Sequence, residues 1–282
     1  MNKRIRMAIR IGVLVILAIM IGLGFYNALS VRRCAVSAGK GAPARIALIT
    51  DLHSCRYGEE EAELIAAIDV EAPDLILLGG DIFDDRLPND NAVALLAGLA
   101  GRYPCYYVTG NHECWAGEAR FAEDMALLER YGVVNLGGRL ETVMVNGREI
   151  NLCGLDDPYA FPGTALAERE AGWLAQLEEI AARDRQGRFT ILLSHRPEYF
   201  ERYTALGFDL VLAGHAHGGQ WRVPGLLNGL YAPGQGLFPK YAGGVYERNG
   251  TTMIVSRGLA RESTRLPRLY NRPELVIVEL TE

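Results

Sequence analysis

The sequence lacks the features that mark several common classes of protein. It has only five cysteines among 282 residues, widely spaced and without a CxxC pair, so it predicts neither a disulfide framework nor a zinc knuckle. Lys and Arg total 29 against 34 Asp and Glu, and without a basic excess we expect no nucleic-acid partner. The chain also lacks internal repeats and low-complexity tracts. What remains after the N-terminal region, about 240 residues, is ample for one large α/β domain.

Long hydrophobic runs are also scarce, with one exception near the N-terminus. Residues 11–29 contain no charge, follow four basic residues and precede two more. Such a run is long enough to span a bilayer. We therefore predict that residues 1–36 form a basic flank and an uncleaved transmembrane anchor in the cell membrane. The excess of basic residues before the run favours an outward-facing main domain. A cleavable signal peptide is the alternative, because Ala28-Leu29-Ser30 resembles a small-x-small site.

Beyond a Gly/Ala/Pro linker at 37–44, residues 45–282 alternate between apolar runs and amphipathic stretches. RIALIT (45–50) and DLILLGG (74–80) are typical of buried strands, and residues 59–73 are typical of a helix. This alternation predicts a largely parallel sheet covered on both faces. Two Asn-Gly pairs, each between short β-rich runs, predict hairpins. The sequence therefore predicts a two-sheet α/β sandwich flanked by helices.

Polar residues follow the main predicted strands at the points where the strands end. Because the carboxyl ends of parallel strands meet at one edge of a sheet, we expect these side chains to form one site. Each alone has an ordinary structural role, such as a helix N-cap or a turn residue. Together they include all five histidines of the protein, which favours a functional site. The residues are Asp51, His53, Asp81, Asp84, Asn111, His112, His195, His215 and His217.

The stretch GHAHGGQ (214–220) shows what this site could bind. Histidines two apart point to the same side if strand geometry continues, and we expect the glycines to leave room for a metal or substrate. Two Asp, one Asn and four His offer ligands suited to Mn, Fe, Zn or Ni. Seven ligands are too many for one tetrahedral zinc. They suit two metals about 3.5–4 Å apart that share a carboxylate, so we predict two divalent ions of undetermined identity.

The ordered motifs resemble those of the calcineurin-like metallophosphoesterases. They are D-x-H (51–53), G-D-x-x-D (80–84), G-N-H (110–112), a lone His195 and G-H-x-H (214–217). The resemblance implies a four-layer α/β/β/α sandwich with metals at the sheet edge. It also implies hydrolysis of phosphomonoesters or phosphodiesters by metal-activated water.

Three further features look most like the membrane-anchored bacterial branch of that family. They are the HGGQ extension, the N-terminal anchor and the C-terminal stretch 256–280. The branch includes a cell-wall phosphoesterase and an enzyme of lipid A biosynthesis that cleaves UDP-2,3-diacylglucosamine. The resemblance thus implies a lipid-linked or envelope phosphoester as substrate.

The resemblance also implies a role for each residue of the site. Asp51, His53 and His217 would hold the first metal. Asn111, His195 and His215 would hold the second metal. Asp81 would bridge the two. His112 would act as general acid or phosphate-positioning group, and Asp84 would orient it by a hydrogen bond.

Several residues near the motifs can be interpreted either as part of the site or as ordinary structural residues. Gln220, Arg196 or Arg257 could hold a phosphate oxygen, although the arginines are equally typical of the surface. Aromatic side chains near the motifs could line a lipid or sugar pocket, but they are more typical of core packing. These are Trp115, Tyr159, Phe161 and Trp221. The alternative to an enzyme is a non-catalytic metal-binding membrane protein that uses the same edge to bind a partner.

Overall fold

The computed structural model describes residues 2–261 and 266–282, apart from the side chains of Ala8 and Leu17. Two six-stranded sheets form the centre of the molecule. The first contains, in spatial order, β1 (Ser30–Ser37), β14 (Glu274–Thr281), β2 (Ala44–Ile49), β3 (Leu75–Leu78), β4 (Cys105–Tyr107) and β5 (Val134–Asn135). The second contains β12 (Gly244–Arg248), β13 (Thr251–Val255), β9 (Leu210–Ala213), β8 (Phe189–Ser194), β7 (Arg148–Leu155) and β6 (Leu140–Val145).

Helices cover the outer faces of both sheets. The described helices are α1 (Lys3–Gly24), α2 (Ala62–Glu71), α3 (Asp90–Leu99), α4 (Asn111–Trp115), α5 (Glu118–Arg130), α6 (Leu166–Ala181) and α7 (Phe200–Ala205). A two-stranded hairpin, β10 (Tyr231–Ala232) and β11 (Gly236–Leu237), lies outside the sheets.

Three hydrophobic clusters hold the layers together. The central cluster joins the inner faces of the two sheets, with Leu48 and Leu77 from one and Leu193 and Leu212 from the other. A second cluster packs α2, α3 and α5 on the first sheet, and a third packs α6 and α7 on the second. Burial of this apolar surface is the main favourable contribution to folding. The predicted four-layer α/β/β/α sandwich is confirmed.

Both predicted hairpins are present, and their turn residues explain them. Asn146 and Gly147 join β6 to β7, and Asn249 and Gly250 join β12 to β13. All four have positive φ, from 51° to 81°. That conformation at both central residues matches the twist of the two strands, and Asn-Gly adopts it readily.

The N-terminal region differs from the predicted domain boundary. The apolar helix α1 ends at Gly24, and β1 begins only six residues later. All eight residues of β1 pair with β14 in parallel register, from Ser30 with Glu274 to Ser37 with Thr281. Residues 30–36 were assigned to the anchor and residue 37 to the linker, but they form the edge strand of the first sheet. The domain therefore starts near residue 30, and the connection to β2 is residues 38–43.

This correction predicts that shortened chains will differ in stability. A chain starting at Ser30 should unfold like the complete soluble part, whereas one starting at Gly39 lacks β1 and its buried Cys34 and Val36. Two such side chains contribute about 1.5 kcal/mol or more each, and 1 kcal/mol shifts Tm by about 2–4 °C in a domain of this size. We expect the Gly39 chain to melt at least about 6 °C lower in a thermal unfolding experiment. Equal melting temperatures would mean that β1 contributes nothing to the domain.

Candidate metal centre

The carboxyl ends of β2, β3, β8 and β9 bring six of the nine predicted site residues into two groups that share one member. One ligand atom from each of Asp51, His53, Asp81 and His217 lies within 4.8 Å of the others. The same holds for Asp81, His195 and His215. Asp81 belongs to both groups, and its Oδ2 is 3.4 Å from His53 Nε2 and 3.1 Å from His195 Nε2. Asn111, at the start of α4, is buried, and the backbone N–H of the next residue, His112, donates to Asp81 Oδ1.

All seven predicted ligands share one property. Each has a buried side-chain atom that lacks a hydrogen-bond partner within the described part of the chain. The atoms are Asp51 Oδ2, His53 Nε2, Asp81 Oδ2, Asn111 Oδ1, His195 Nε2, His215 Nδ1 and His217 Nδ1. Leaving one such atom unpaired costs about 1–3 kcal/mol. Seven oxygen and nitrogen donors that need a partner at the same place fit a pair of divalent cations.

The opposite atoms of several of these side chains are held by the protein. Asp51 Oδ1 accepts a hydrogen bond from the His215 backbone N–H at 2.9 Å, and Asp81 Oδ1 accepts one from the His112 N–H at 2.8 Å. His195 Nδ1 lies 2.8 Å from the carbonyl oxygen of Gly79. Contacts of this kind fix the tautomer of a histidine and the orientation of a ligand. They leave the second atom of each group available for a metal.

Burial and close charges set the protonation of the site. Burial lowers the pKa of His215 and His217, so both are neutral, which is the form that binds metals. Burial opposes ionisation of Asp81, but the adjacent His195 and His53 hold the pKa of that carboxyl well below its usual range. Burial likewise opposes a charge on His195, yet Asp81 raises its pKa to about 10.

Five of the seven residues have a left-handed backbone. The φ angles are 51° for Asp51, 49° for His53, 53° for Asp81, 64° for His215 and 47° for His217. This region is unfavourable for residues with a Cβ and is concentrated at functional sites. The loops that follow the strands turn sharply at these positions, which brings side chains from both sheets to one point.

The glycines of GHAHGGQ (214–220) were expected to leave room for a metal or substrate, but their neighbours are protein atoms. A Cβ on Gly214 would lie 2.5 Å from Asp51 Oδ2, and one on Gly218 would lie 2.1 Å from Asn271 Oδ1. A Cβ on Gly219 would lie 2.4 Å from the Cα of Gly229. These glycines therefore make room for protein atoms that support the site.

Glu113 organises the centre and was not predicted. Its buried carboxylate accepts hydrogen bonds from the backbone N–H groups of Asp81, Ile82, Phe83 and Gly110, at 2.7–3.2 Å. It thereby ties the loop after β3 to the loop after β4. Burial raises its pKa to about 8. An acidic residue in the first turn of a helix is typical of a group that accepts backbone N–H bonds, so the sequence did carry a signal.

The surroundings of His112 differ from the predicted pairing with Asp84. His112 Nδ1 lies 2.6 Å from Asp85 Oδ1 but 3.6 Å from Asp84 Oδ2. Asp84 Oδ2 is closer to His53 Nδ1, at 3.1 Å, and Asp84 Oδ1 accepts the backbone N–H groups of Arg86 and Leu87. Asp84 thus orients a predicted ligand, while Asp85 orients His112.

Asp84 also belongs to a third group with metal-binding potential, formed with His53 and His112. The two short contacts just described, His53 with Asp84 and His112 with Asp85, already use one ring nitrogen of each histidine. The pKa of Asp84 falls to about 2, because its hydrogen bonds outweigh the effect of burial. A charged, hydrogen-bonded carboxylate is typical of a residue that orients histidines.

This geometry predicts different defects for two neighbouring replacements. Asp85→Asn should keep both metals and reduce kcat by about 10–100-fold, the usual effect of losing a residue that orients another. Asp84→Asn should in addition weaken metal retention, because Asp84 holds His53. Kinetics and metal analysis of both purified variants measure the difference. If Asp85→Asn has a normal kcat, Asp85 does not orient His112, and Asp84 becomes the candidate for that role.

Arg196 and Arg257, which the sequence left as candidates for phosphate binding, both form ion pairs with carboxylates. Arg196 is buried, and its Nε lies 2.5 Å from Asp157 Oδ2; its Nη1 also contacts His215 Nε2 at 2.9 Å. Arg257 Nε donates to Glu274 at 2.6 Å. Neither guanidinium is therefore free to bind phosphate in the described structure. The role of Gln220 stays open. Its buried Oε1 lacks a hydrogen-bond partner among the described residues, but an amide oxygen only accepts, so a phosphate oxygen would have to be held by its Nε2.

The aromatic residues divide between site and core. Trp115 is 48% exposed, and its ring centre lies 4.9 Å from that of His112 and 5.3 Å from that of Tyr159. Phe161 packs against the third hydrophobic cluster. Trp221 is partly exposed, and its Nε1 donates to the Pro267 carbonyl. Trp115 thus packs against His112 and Tyr159 packs against Trp115, whereas Phe161 is structural.

Arg268 is a second residue that sequence analysis missed. It is buried, and within the described chain its Nη2 lacks a hydrogen-bond partner. Its positive charge contributes to the low pKa of His217, after burial and His53. A buried guanidinium with an unused N–H group is suited to an anionic oxygen.

The fold and the centre define a class, and the chain belongs to the calcineurin-like phosphoesterase family. The sequence profile of that family matches residues 44–219, well over half of the chain.

Among curated proteins, the chain is similar to Phosphodiesterase YaeI of Escherichia coli, with 29% identity over 88% of this chain and 86% of that protein. It is 30% identical to the uncharacterized metallophosphoesterase YkuE of Bacillus subtilis, over 84% of this chain and 78% of that one. An uncharacterized metallophosphoesterase of Helicobacter pylori is 29% identical over 76% of this chain. The chain spans about half the length of that relative, 54%.

A solved structure, a dimetal phosphatase from Danio rerio, resembles the chain with a TM-score of 0.49 and 15% identity. The match covers 77% of this chain and 88% of the other.

Proposed function

We propose that this protein is a dinuclear metal-dependent hydrolase of phosphomonoesters or phosphodiesters. The observation that supports this best is the set of seven unpaired donor atoms gathered at the sheet edge. Asp51, His53 and His217 would hold one metal. Asn111, His195 and His215 would hold the other. Asp81 would bridge them.

The division of labour follows from the chemistry of these groups. Two bound divalent cations supply Lewis acidity toward the phosphoryl oxygens and lower the pKa of water. The buried acids and histidines set the positions of those cations. Glu113 keeps the two loops after β3 and β4 in register through its four backbone contacts.

His112 would donate a proton to the leaving oxygen of the ester. Its Nδ1 is held by Asp85, and its side chain is 24% exposed in contrast to the fully buried His195. A histidine held at Nδ1 by a carboxylate presents Nε2 to its surroundings. Asp84 would contribute indirectly, through His53.

We further propose a substrate on a lipid or in the cell envelope. The support is α1, a 22-residue helix that contains an 18-residue window of mean hydropathy 2.4 and is long and apolar enough to cross a membrane. The charge pattern around α1 supports an outward-facing domain and hence an envelope phosphodiester. UDP-2,3-diacylglucosamine is the second candidate, and it requires a cytoplasmic-facing site. The name of the Escherichia coli relative, a phosphodiesterase, supports the choice of a diester.

A direct test is hydrolysis of bis-p-nitrophenyl phosphate by the purified protein. We expect activity that chelation abolishes and added Mn²⁺ restores, together with two metals per chain. Asp124→Asn is a matched control, because Asp124 is a buried acid bonded to Asn89 away from the centre. Two metals per chain without hydrolysis of any monoester or diester would favour the alternative, a metal-binding protein that binds a partner. Mass spectrometry of treated lipid and cell-wall extracts would then identify the natural substrate.

A further inference from the structure

A patch of large hydrophobic side chains is exposed beside the metal centre. It lies in the region 219–240, and its exposure ranges from 38% for Trp221 to 84% for Leu226. We call it the loop patch, and it consists of Trp221, Val223, Leu226, Tyr231, Leu237 and Phe238. Apolar patches of this kind on a protein surface mark sites of interaction with proteins or membranes.

The loop patch belongs to one folded segment. The Leu230 N–H donates to the Trp221 carbonyl at 2.9 Å, and the Phe238 N–H donates to the Leu230 carbonyl at 2.8 Å. Tyr231 pairs with Leu237 across the β10–β11 hairpin. These backbone bonds hold the apolar side chains in place on one surface.

The segment is joined to the end of α1. Trp221 forms a β-bridge with Leu269, and the Arg222 N–H donates to the Leu269 carbonyl at 2.9 Å. The next residue, Tyr270, donates its N–H to the Gly24 carbonyl at 2.6 Å, and its hydroxyl donates to the Met20 carbonyl. The loop patch therefore lies a few strand spacings of about 5 Å from the end of the helix.

The same short segment supports the metal centre. Asn271 Nδ2 donates to the carbonyl oxygens of His217 and Gln220, at 2.7 and 3.1 Å. Residues 269–271 thus contact the end of α1, the loop patch and the turn that carries a predicted metal ligand. These contacts connect the end of α1 to the centre.

The length of α1 sets that position relative to a bilayer. Its first eight residues carry four basic side chains, so the uncharged part, residues 11–24, extends about 21 Å at 1.5 Å per residue. That is shorter than the roughly 30 Å of a hydrocarbon core. With the basic residues at one face of the bilayer, Gly24 and Tyr270 therefore lie no farther out than the opposite interface. The loop patch, attached to them, lies at the same level.

We propose that the loop patch inserts into the headgroup region of the bilayer that holds α1. Trp and Tyr favour that region because their rings have an apolar body and a polar end. Between Gly219 and Lys240 the chain has no acidic residue that anionic headgroups would repel. This inference rests on the membrane anchoring proposed above. It places the metal centre against the membrane surface, where the phosphoester of a lipid headgroup lies.

Spin labels on the complete protein in nanodiscs of phosphatidylcholine and phosphatidylglycerol test this placement. The spin labels are attached to cysteines introduced by Leu226→Cys and Phe238→Cys, at positions where the native side chains are 84% and 68% exposed. Val70→Cys and Met144→Cys are matched controls on α2 and β6, with 80% and 63% exposure. Ile16→Cys, in the middle of α1, reports whether the helix spans the bilayer. Four native cysteines are buried and Cys114 is half-buried, so labelled wild type gives the background.

The measured quantity is the accessibility of each label to oxygen divided by its accessibility to a water-soluble nickel chelate. We expect this ratio to be several-fold higher at positions 226 and 238 than at positions 70 and 144. If the label at 16 is embedded in the bilayer but the labels at 226 and 238 are exposed to water, α1 anchors the protein and the loop patch does not insert. If the label at 16 is exposed to water, both the membrane anchoring by α1 and the insertion of the loop patch are wrong. Labels at 226 and 238 shielded from both reagents, with dipolar broadening between copies, would assign the patch to a second copy of the chain instead. None of these outcomes depends on catalytic activity.

Discussion

Replacing Asp81 by asparagine should leave fewer than two metal ions on each chain and reduce kcat/KM more than any other single change among the seven candidate ligands. Asp81 is the member common to both groups, with its Oδ2 close to His53 and His195. Asparagine keeps the shape but removes the charge that would neutralise two neighbouring cations. Changes around a metal ligand cost about 10–100-fold, so loss of the shared ligand should cost at least about 100-fold.

Metal analysis of the purified variant measures this directly. Asp124→Asn, an equally buried acid outside the centre, should retain wild-type metal content and turnover. Asp51→Asn should lose metal from one group only. If Asp81→Asn binds two metals and turns over normally, Asp81 does not bridge, and the two-metal assignment is lost with it.

Replacing His112 by asparagine should retain both metals and reduce activity according to the leaving group. General acid catalysis contributes about 10²–10⁴-fold where the departing oxygen needs a proton. An alkyl or sugar alkoxide is such a group, whereas p-nitrophenolate leaves without one. We therefore expect a loss of about 10²-fold or more on an alkyl ester and a much smaller loss on a nitrophenyl ester.

The measurement is kcat/KM for wild type and variant on both esters, with metal content determined in parallel. Asp85→Asn serves as a graded comparison, because Asp85 holds His112 Nδ1 at 2.6 Å without donating the proton itself. Equal losses of the variant on the two esters would contradict a general-acid role. Loss of a metal would instead make His112 a ligand, as in the group that it forms with His53 and Asp84.

The sequence predicted the layers, and it predicted that polar residues at the strand ends would meet at one sheet edge, because the relevant signals are local. The apolar run of a strand and the polar residue at its end are adjacent in the chain, as with β3 and Asp81. Parallel strands then bring distant strand ends to one edge. The Asn-Gly turns are local for the same reason, since two residues define the turn type.

What the sequence did not show depends on contacts between distant residues. β1 follows an apolar run and has no strong pattern, and its partner β14 lies more than 240 residues away. The choice between Asp84 and Asp85 as the partner of His112 depends on a loop conformation that spacing does not define. Arg268 is buried by elements from elsewhere in the chain, so local hydrophobicity did not indicate its position. Glu113 carried a local signal as an acidic residue in the first turn of α4, but its N–H donors in the loop after β3 are distant in sequence.

The left-handed residues of the centre have a consequence for how the protein acquires its metals. Each such position costs about 1–2 kcal/mol for a residue with a Cβ, and five candidate ligands are in this state. The net stability of a domain is only about 5–15 kcal/mol, so these turns use a substantial part of it. Cations that bind only the turned conformation stabilise the fold by mass action. Metal supply in the cell would then govern the lifetime of the folded protein as well as its activity.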